Sequence, residues 1–143
     1  MVNDAYEDRI TNRRLNARKS DKVLDKPILF AATADADRSR EFYESVLELR
    51  FVADEPYALV FDVDGVMLRI QKVPEFAAAA HTVLGWSVQD IDATVKSLTS
   101  KGVRFNRYEH MQQGENGVWQ APGGGKVAWF NDPDDNTLSL TQG

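Results

Sequence analysis

The sequence predicts an α+β protein built from two βαβββ modules that form a curved mixed sheet with a concave ligand cavity. Three observations predict it. The chain repeats itself: Phe30-Ala31-Ala32-Thr33-Ala34-Asp35-Ala36-Asp37 is answered by Gly85-Trp86-Ser87-Val88-Gln89-Asp90-Ile91-Asp92, an offset of 55 residues at the aspartates. After each helical stretch comes an Arg-Phe pair, Arg50-Phe51 and Arg104-Phe105, offset by 54. Each copy then runs through short strand-like segments separated by turn residues. A repeat of this kind fixes architecture before any single motif is read.

The first module opens at Pro27. Ile28–Thr33 reads as a buried strand. Asp35 is placed to cap the helix that follows, with Asp37 in its positive first turn. Phe42, Val46 and Leu47 give residues 36–47 one apolar face. Strands follow at Arg50–Ala53, Tyr57–Val63 and Val66–Val73, the last two joined by Asp64-Gly65, a hairpin turn in which both residues tolerate positive φ. Residues 74–81 are a linker.

The second module starts with the strand Thr82–Val88. Asp90 caps a helix carrying Ile91, Val95 and Leu98, and Gly102 stands at its C′ position. Val103–Phe105 begins a strand. Residues 106–125 are rich in Gly, Asn and Gln and end in three glycines, so this middle loop is longer than its counterpart. Val127–Phe130 and Thr137–Thr141 close the module as a strand pair around Asp132-Pro133-Asp134-Asp135-Asn136. The modules span about 27–73 and 82–142.

Composition bounds the function. The 143 residues carry a net charge of -5 and no cysteine. Absence of cysteine excludes disulfides, thiol catalysis and thiolate-ligated zinc. The acidic balance argues against nucleic acid as a partner. No apolar run is long enough for a membrane span, and the N-terminus lacks a secretory leader, so no membrane partner is expected and the cytoplasm is the default compartment. Residues 1–26 differ from the rest, with seven Lys/Arg against five Asp/Glu. They read as a charged N-terminal extension, with a short helix around 4–19: either a basic arm (Arg9, Arg13, Arg14, Arg18, Lys19) for an anionic partner or a solvated tail.

Two segments resemble a known family. They are Asp35-x-x-x-Ser39-x-x-Phe42-Tyr43-x-x-Val46-Leu47-x-Leu49 and Trp129-Phe130-x-Asp132-Pro133-Asp134-x-Asn136-x-Leu138-x-Leu140. In this order, inside a duplicated βαβββ, they resemble the vicinal oxygen chelate superfamily of glyoxalases, bleomycin-resistance proteins and extradiol dioxygenases. Two positions depart from the family pattern: Glu48 and Asp135 stand where glycine is usual. Asp tolerates the left-handed region better than most residues.

The resemblance implies four metal-ligand positions on the concave face, which carried over fall on Ile28, Arg69, Val83 and Ser139. Ile and Val offer no lone pair, Arg stays protonated, and Ser is rarely a ligand for zinc or nickel. A two-residue slip would bring His81 to one position of the four. The expectation is therefore a metal-free cavity and no cofactor, with a metal-dependent lyase, isomerase or dioxygenase, or a metal-free enzyme, as alternatives.

Strand alternation puts Met67, Arg69 and Gln71 on the cavity face and Val66, Leu68 and Ile70 on the helix side. Thr137, Ser139 and Thr141 face the cavity, over a floor of Ile28, Phe30, Ala32, Val83, Gly85 and Ser87. Arg69 reads either as the fork that recognises an anionic ligand group or as the partner of Asp62, Glu109 or Glu115. Trp119 is either a stacking wall for an aromatic ligand or a plug at a sheet edge or dimer contact. Trp86 and Trp129 read as packing residues, Tyr57 as a further contact candidate. His110, with Glu109, is either a general base or a solvated loop residue. The ligand-contact set is Phe30, Met67, Arg69, Gln71, Trp119 and Ser139, the partner a small organic molecule, and open sheet edges lead to a homodimer.

Overall fold

A computed structural model describes residues 23–143; the expectations for Arg9 to Lys19 and a helix at 4–19 lie outside the described residues. The first module comprises β1 (Ile28–Thr33), α1 (Ala36–Glu41), β2 (Arg50–Asp54), β3 (Ala58–Val63) and β4 (Val66–Lys72). The second comprises β5 (Thr82–Ser87), α2 (Ile91–Ser100), β6 (Trp119–Gln120), β7 (Lys126–Asn131) and β8 (Thr137–Gln142). Each forms a four-stranded mixed sheet, ordered β1-β4-β3-β2 and β5-β8-β7-β6. In both, the first strand runs parallel to the last and the remaining pairs are antiparallel. The sheets approach one another along β1 and β5. The duplicated α+β architecture is thus present in both copies.

The helix starts are as the sequence predicts. Asp35 accepts from the Arg38 amide at 3.2 Å and Asp90 from the Ala93 amide at 3.1 Å, each satisfying a donor that the helix cannot. Ile91, Val95 and Leu98 are buried, and Gly102 takes φ 96° beyond α2. The first helix differs. It widens after Glu41 into a π-helical turn, Phe42–Val46, where the Leu47 amide donates to the Phe42 carbonyl at 3.0 Å. A π turn re-aims the side chains within it. Here Tyr43 is fully buried while Phe42, Val46 and Leu47 flank the core.

One hydrophobic core runs through both modules. Tyr43 packs on Phe61, Phe42 on Phe130, and Phe105 on Phe130. Phe51 opposite Phe61 in the first sheet repeats as Phe105 opposite Phe130 in the second. That explains why the Arg-Phe offset is so nearly constant.

The turn Asp132–Asn136 latches the modules together. Asp132 Oδ2 accepts from Tyr43 Oη at 2.6 Å and from Asn136 Nδ2 at 2.8 Å; its Oδ1 accepts from the amides of Asp134 and Asn136, both at 2.9 Å. Asn136 Nδ2 also donates to the Ala32 carbonyl, and Asp134 accepts from Thr33 Oγ1 at 2.6 Å and the Ala34 amide at 2.9 Å. Asp132 is buried yet fully bonded, the condition under which burying a carboxylate is tolerable. The family-like motif is therefore a structural joint.

Glu48 and Asp135, the two departures from glycine, both take positive φ, 57° and 64°. Asp64 and Gly65 do likewise at 49° and 84° in the β3–β4 hairpin.

The expected strand at Val103–Phe105 is reduced to a single bridge at Phe105. The edge strand is interrupted: the Asn106 amide still donates to the Trp129 carbonyl, but the chain then leaves the sheet and rejoins it at Trp119 opposite Val127. The extra residues of the long loop are inserted within the edge strand, where no neighbour on the far side has to be displaced.

Candidate functional site

The face of each sheet turned away from the core follows from alternation. On β4, Leu68 and Ile70 are fully buried against the helices, whereas Met67, Arg69 and Gln71 point outward. On β1 the outward residues are Ile28, Phe30 and Ala32, registered against Met67, Arg69 and Gln71. Ile28, Phe30, Val52 and Met67 are 47%, 50%, 54% and 41% exposed, a high exposure for large apolar side chains. Ile28, Val52, Val60 and Met67, with Pro27 and Asp62, line an open cavity of about 510 Å³.

Arg69 is closed by an ion pair. Its Nη1 lies 3.1 Å from Glu55 Oε1, so its partner is not Asp62, Glu109 or Glu115. Glu55 follows β2 and reaches across β3, whose outward residues Ala58 and Val60 are buried. Lys72, next along β4, is paired with Asp54. The guanidinium of the outer face is thus compensated, and that face is less suited to capture an anion than an unpaired Arg69 would make it. Tyr57 lies just before β3 and is largely exposed.

The second sheet departs further from expectation. Ser139 is only 9% exposed. It lies against Gly85, whose missing side chain makes room for it. Val83 is the extra residue in a bulge between the Thr82 and Leu84 pairings and packs against the core. Trp86, registered with Leu140, packs inward as expected. Trp129 does not: it is the cross-strand partner of Ser139, between inward-facing Ala128 and Phe130, and so belongs to the outer face. Trp119 lies beside it, ring centroids 6.0 Å apart and planes at 36°. Tyr108 meets Trp129 edge-on at 5.6 Å. The alternation Ala128-Trp129-Phe130 was the available signal for Trp129; no local signal pointed to Tyr108.

His110 and Glu109 are exposed at the tip of the long loop, His110 beside Tyr108 with centroids 6.3 Å apart. Among the described residues neither has the hydrogen-bonded orienting partner that a general base needs. His81, exposed before β5, lies on no cluster with them.

The four metal-equivalent positions therefore hold two aliphatic side chains, a guanidinium committed to Glu55 and a hydroxyl under Gly85. Among the described residues no three His, Asp or Glu side chains converge as a metal-binding group. This donor set does not fit a divalent metal.

The comparisons agree with the fold. The family model Glyoxalase/Bleomycin resistance protein/Dioxygenase superfamily matches residues 27–140. No curated protein sequence matches the chain. Among solved structures, a fosfomycin resistance protein from Listeria monocytogenes is similar with a TM-score of 0.66 and 13% identity, covering 85% of this chain and 94% of that one. An antibiotic binding protein from Streptomyces sp. CB03234 gives 0.63 and 20%, covering 85% and 97%. A lactoylglutathione lyase from Agrobacterium tumefaciens gives 0.62 and 17%, covering 83% and 95%. Similarity at these identities establishes shared architecture, not shared chemistry.

Proposed function

The chain belongs to the Glyoxalase/Bleomycin resistance protein/Dioxygenase superfamily, and on that premise we propose that it binds a small organic molecule without a metal, as a cytoplasmic homodimer acting in resistance or sequestration. The observation that carries this reading is the side-chain chemistry at Ile28, Arg69, Val83 and Ser139. A cation placed among them would meet two hydrocarbon side chains and a positive charge, and its hydration would go uncompensated.

What the outer face offers instead is apolar and aromatic contact area with few polar groups, the usual composition of a small-molecule site. Ile28, Phe30 and Met67 supply it on the first sheet, Trp119 and Trp129 on the second, with Gln71 and the Arg69–Glu55 pair as polar neighbours. A second copy covering part of this face would account for the exposure of Phe30, which does not line the cavity beside Ile28 and Met67. Two structural neighbours, a fosfomycin resistance protein and an antibiotic binding protein, support resistance or sequestration as the task.

The test is elemental analysis of protein purified without chelator, beside a thermal-shift screen of small organic compounds. Absence of stoichiometric metal together with stabilisation by at least one compound is expected. One equivalent of zinc, nickel, manganese or iron per chain would overturn the proposal.

A further inference from the structure

The rings on the second sheet are held in place by a loop that is itself ordered. Between Asn106 and Trp119 the chain folds around Gln113. Its Oε1 accepts from the Tyr108 amide at 2.7 Å, and its Nε2 donates to the carbonyls of Asn106 and Gly117 at 2.9 and 2.7 Å. The Arg107 guanidinium donates to the Glu115 carbonyl, and Asn116 ties the loop to Asp92 of α2 at 2.8 Å. Gly117 takes φ 88°, and a Cβ there would stand 2.9 Å from Phe105 Cβ, so the return of the chain is closely packed.

The loop thus sets Tyr108 perpendicular to Trp129 and brings Trp119 beside it before any ligand arrives. Fixing the contact groups in advance lowers the ordering cost of binding. The neighbours of Trp129 on this face, Val127, Ser139 and Thr141, are neutral. Trp119 and Trp129 remain only partly buried, so part of each indole stays accessible beside neutral strand neighbours. Flat aromatic partners gain ring–ring contact on such a surface that saturated molecules of the same outline do not.

Resting on the ligand-binding reading above, we propose that the ligand class is a planar aromatic molecule, stacked on the Trp119–Trp129 pair with Tyr108 as the edge wall. The site is the second sheet's outer face, and the loop 107–118 is its organiser.

The matched probes are 2-naphthol and 2-decalol, neutral alcohols of the same outline that differ in aromaticity. Binding is followed by calorimetry and by the indole N–H signals of the three tryptophans in ¹⁵N-labelled protein. Trp86, on the inward face, is the internal control. Naphthol is expected to bind roughly fivefold more tightly than decalol and to shift Trp119 and Trp129 while Trp86 stays. Trp129→Leu should bring naphthol to the affinity of decalol, and Tyr108→Leu, in an exposed loop, should weaken naphthol alone. Equal binding of both alcohols, or movement of Trp86 instead, overturns the aromatic class while leaving small-molecule binding intact. Failure of both alcohols, where other compounds of the thermal-shift screen do bind, also overturns the class. If nothing in that screen binds, the ligand-binding reading fails and the class falls with it.

Discussion

Gly85 and Ser139 face one another across β5 and β8 so closely that a Cβ added to Gly85 would stand 2.5 Å from Ser139 Oγ. The hydroxyl occupies the space a side chain would take. Gly85→Ala should therefore destabilise the protein by about 1–2 kcal/mol through overpacking. Ser139→Ala in the same chain should recover part of that loss: the Ser139 Cβ lies at 3.7 Å, while the Ser139 carbonyl stays close at 3.3 Å. Denaturant melts of the two single variants and the double variant measure the coupling, and additive losses would show that Ser139 is not the obstacle.

Tyr43 and Asp132 join the modules through one hydrogen bond in the core. Burial raises the Tyr43 hydroxyl well above the usual phenol range, and the Asp132 charge adds to it. Burial also raises Asp132 above the ordinary carboxylate range, against the lowering effect of its hydrogen bonds to Tyr43 and Asn136. A carboxylate whose folded pKa is raised holds its proton more tightly when folded, so its contribution to stability is greatest in acid and falls as pH rises from about 4. Asp132→Asn should flatten that part of the stability–pH profile. Tyr43→Phe should steepen it and cost about 1.5–3 kcal/mol at neutral pH. Thermal melts from acid to neutral pH give both slopes; parallel profiles for wild type and Asp132→Asn would contradict the assignment.

Glu48 sits at φ 57°, where a side chain is strained, and contributes an exposed ion pair with Lys101. Relief of the left-handed backbone outweighs a surface pair. Glu48→Gly should stabilise the fold by about 0.5–1 kcal/mol, visible as a raised denaturant midpoint. A lowered midpoint would mean that the Lys101 pair is the stronger term.

Glu55→Gln leaves the Arg69 guanidinium without its charge partner. The variant should lose less than about 1 kcal/mol of stability, because the pair is partly solvated. It should gain affinity for an aromatic carboxylate such as benzoate, measured by calorimetry. An unchanged affinity would place Arg69 outside the ligand face.

The open apolar residues of the first sheet call for a partner. Light scattering at micromolar concentration should give twice the 16.1 kDa chain mass. Phe30→Glu should shift it to the monomer, since a charge desolvated in an interface is costly. A wild-type monomer would remove the second copy from the proposal.

The repeat was legible because its signals are local: a capping aspartate at 35 and 90, an Arg-Phe pair, an Asp-Gly turn. What escaped the sequence depends on contacts between distant residues. The π turn serves a hydrogen bond from Tyr43 to a residue 89 positions away. Arg69 found Glu55 because the side chain that follows β2 reaches β4 across β3, a meeting that no spacing encodes. The strand expected at Val103–Phe105 has the right composition, but the chain leaves it for a loop organised by Gln113. Leu68 and Ile70 are legible as the inward set because alternation is a property of the strand itself. The same rule places Trp129, between Ala128 and Phe130, on the outer face, although a position within a strand by itself suggests packing.

The interruption of the edge strand has an evolutionary consequence. Phe105 and Trp119 rejoin the same neighbour, β7, only three positions apart, so the excursion between them is a cassette with fixed ends. Lengthening such a loop costs little, about 0.6 kcal/mol for each doubling, and leaves the pairing of β7 with β8 untouched. New recognition surfaces can be grafted there without renegotiating the core, and homologous chains are expected to differ most in this segment while keeping the latch at Asp132.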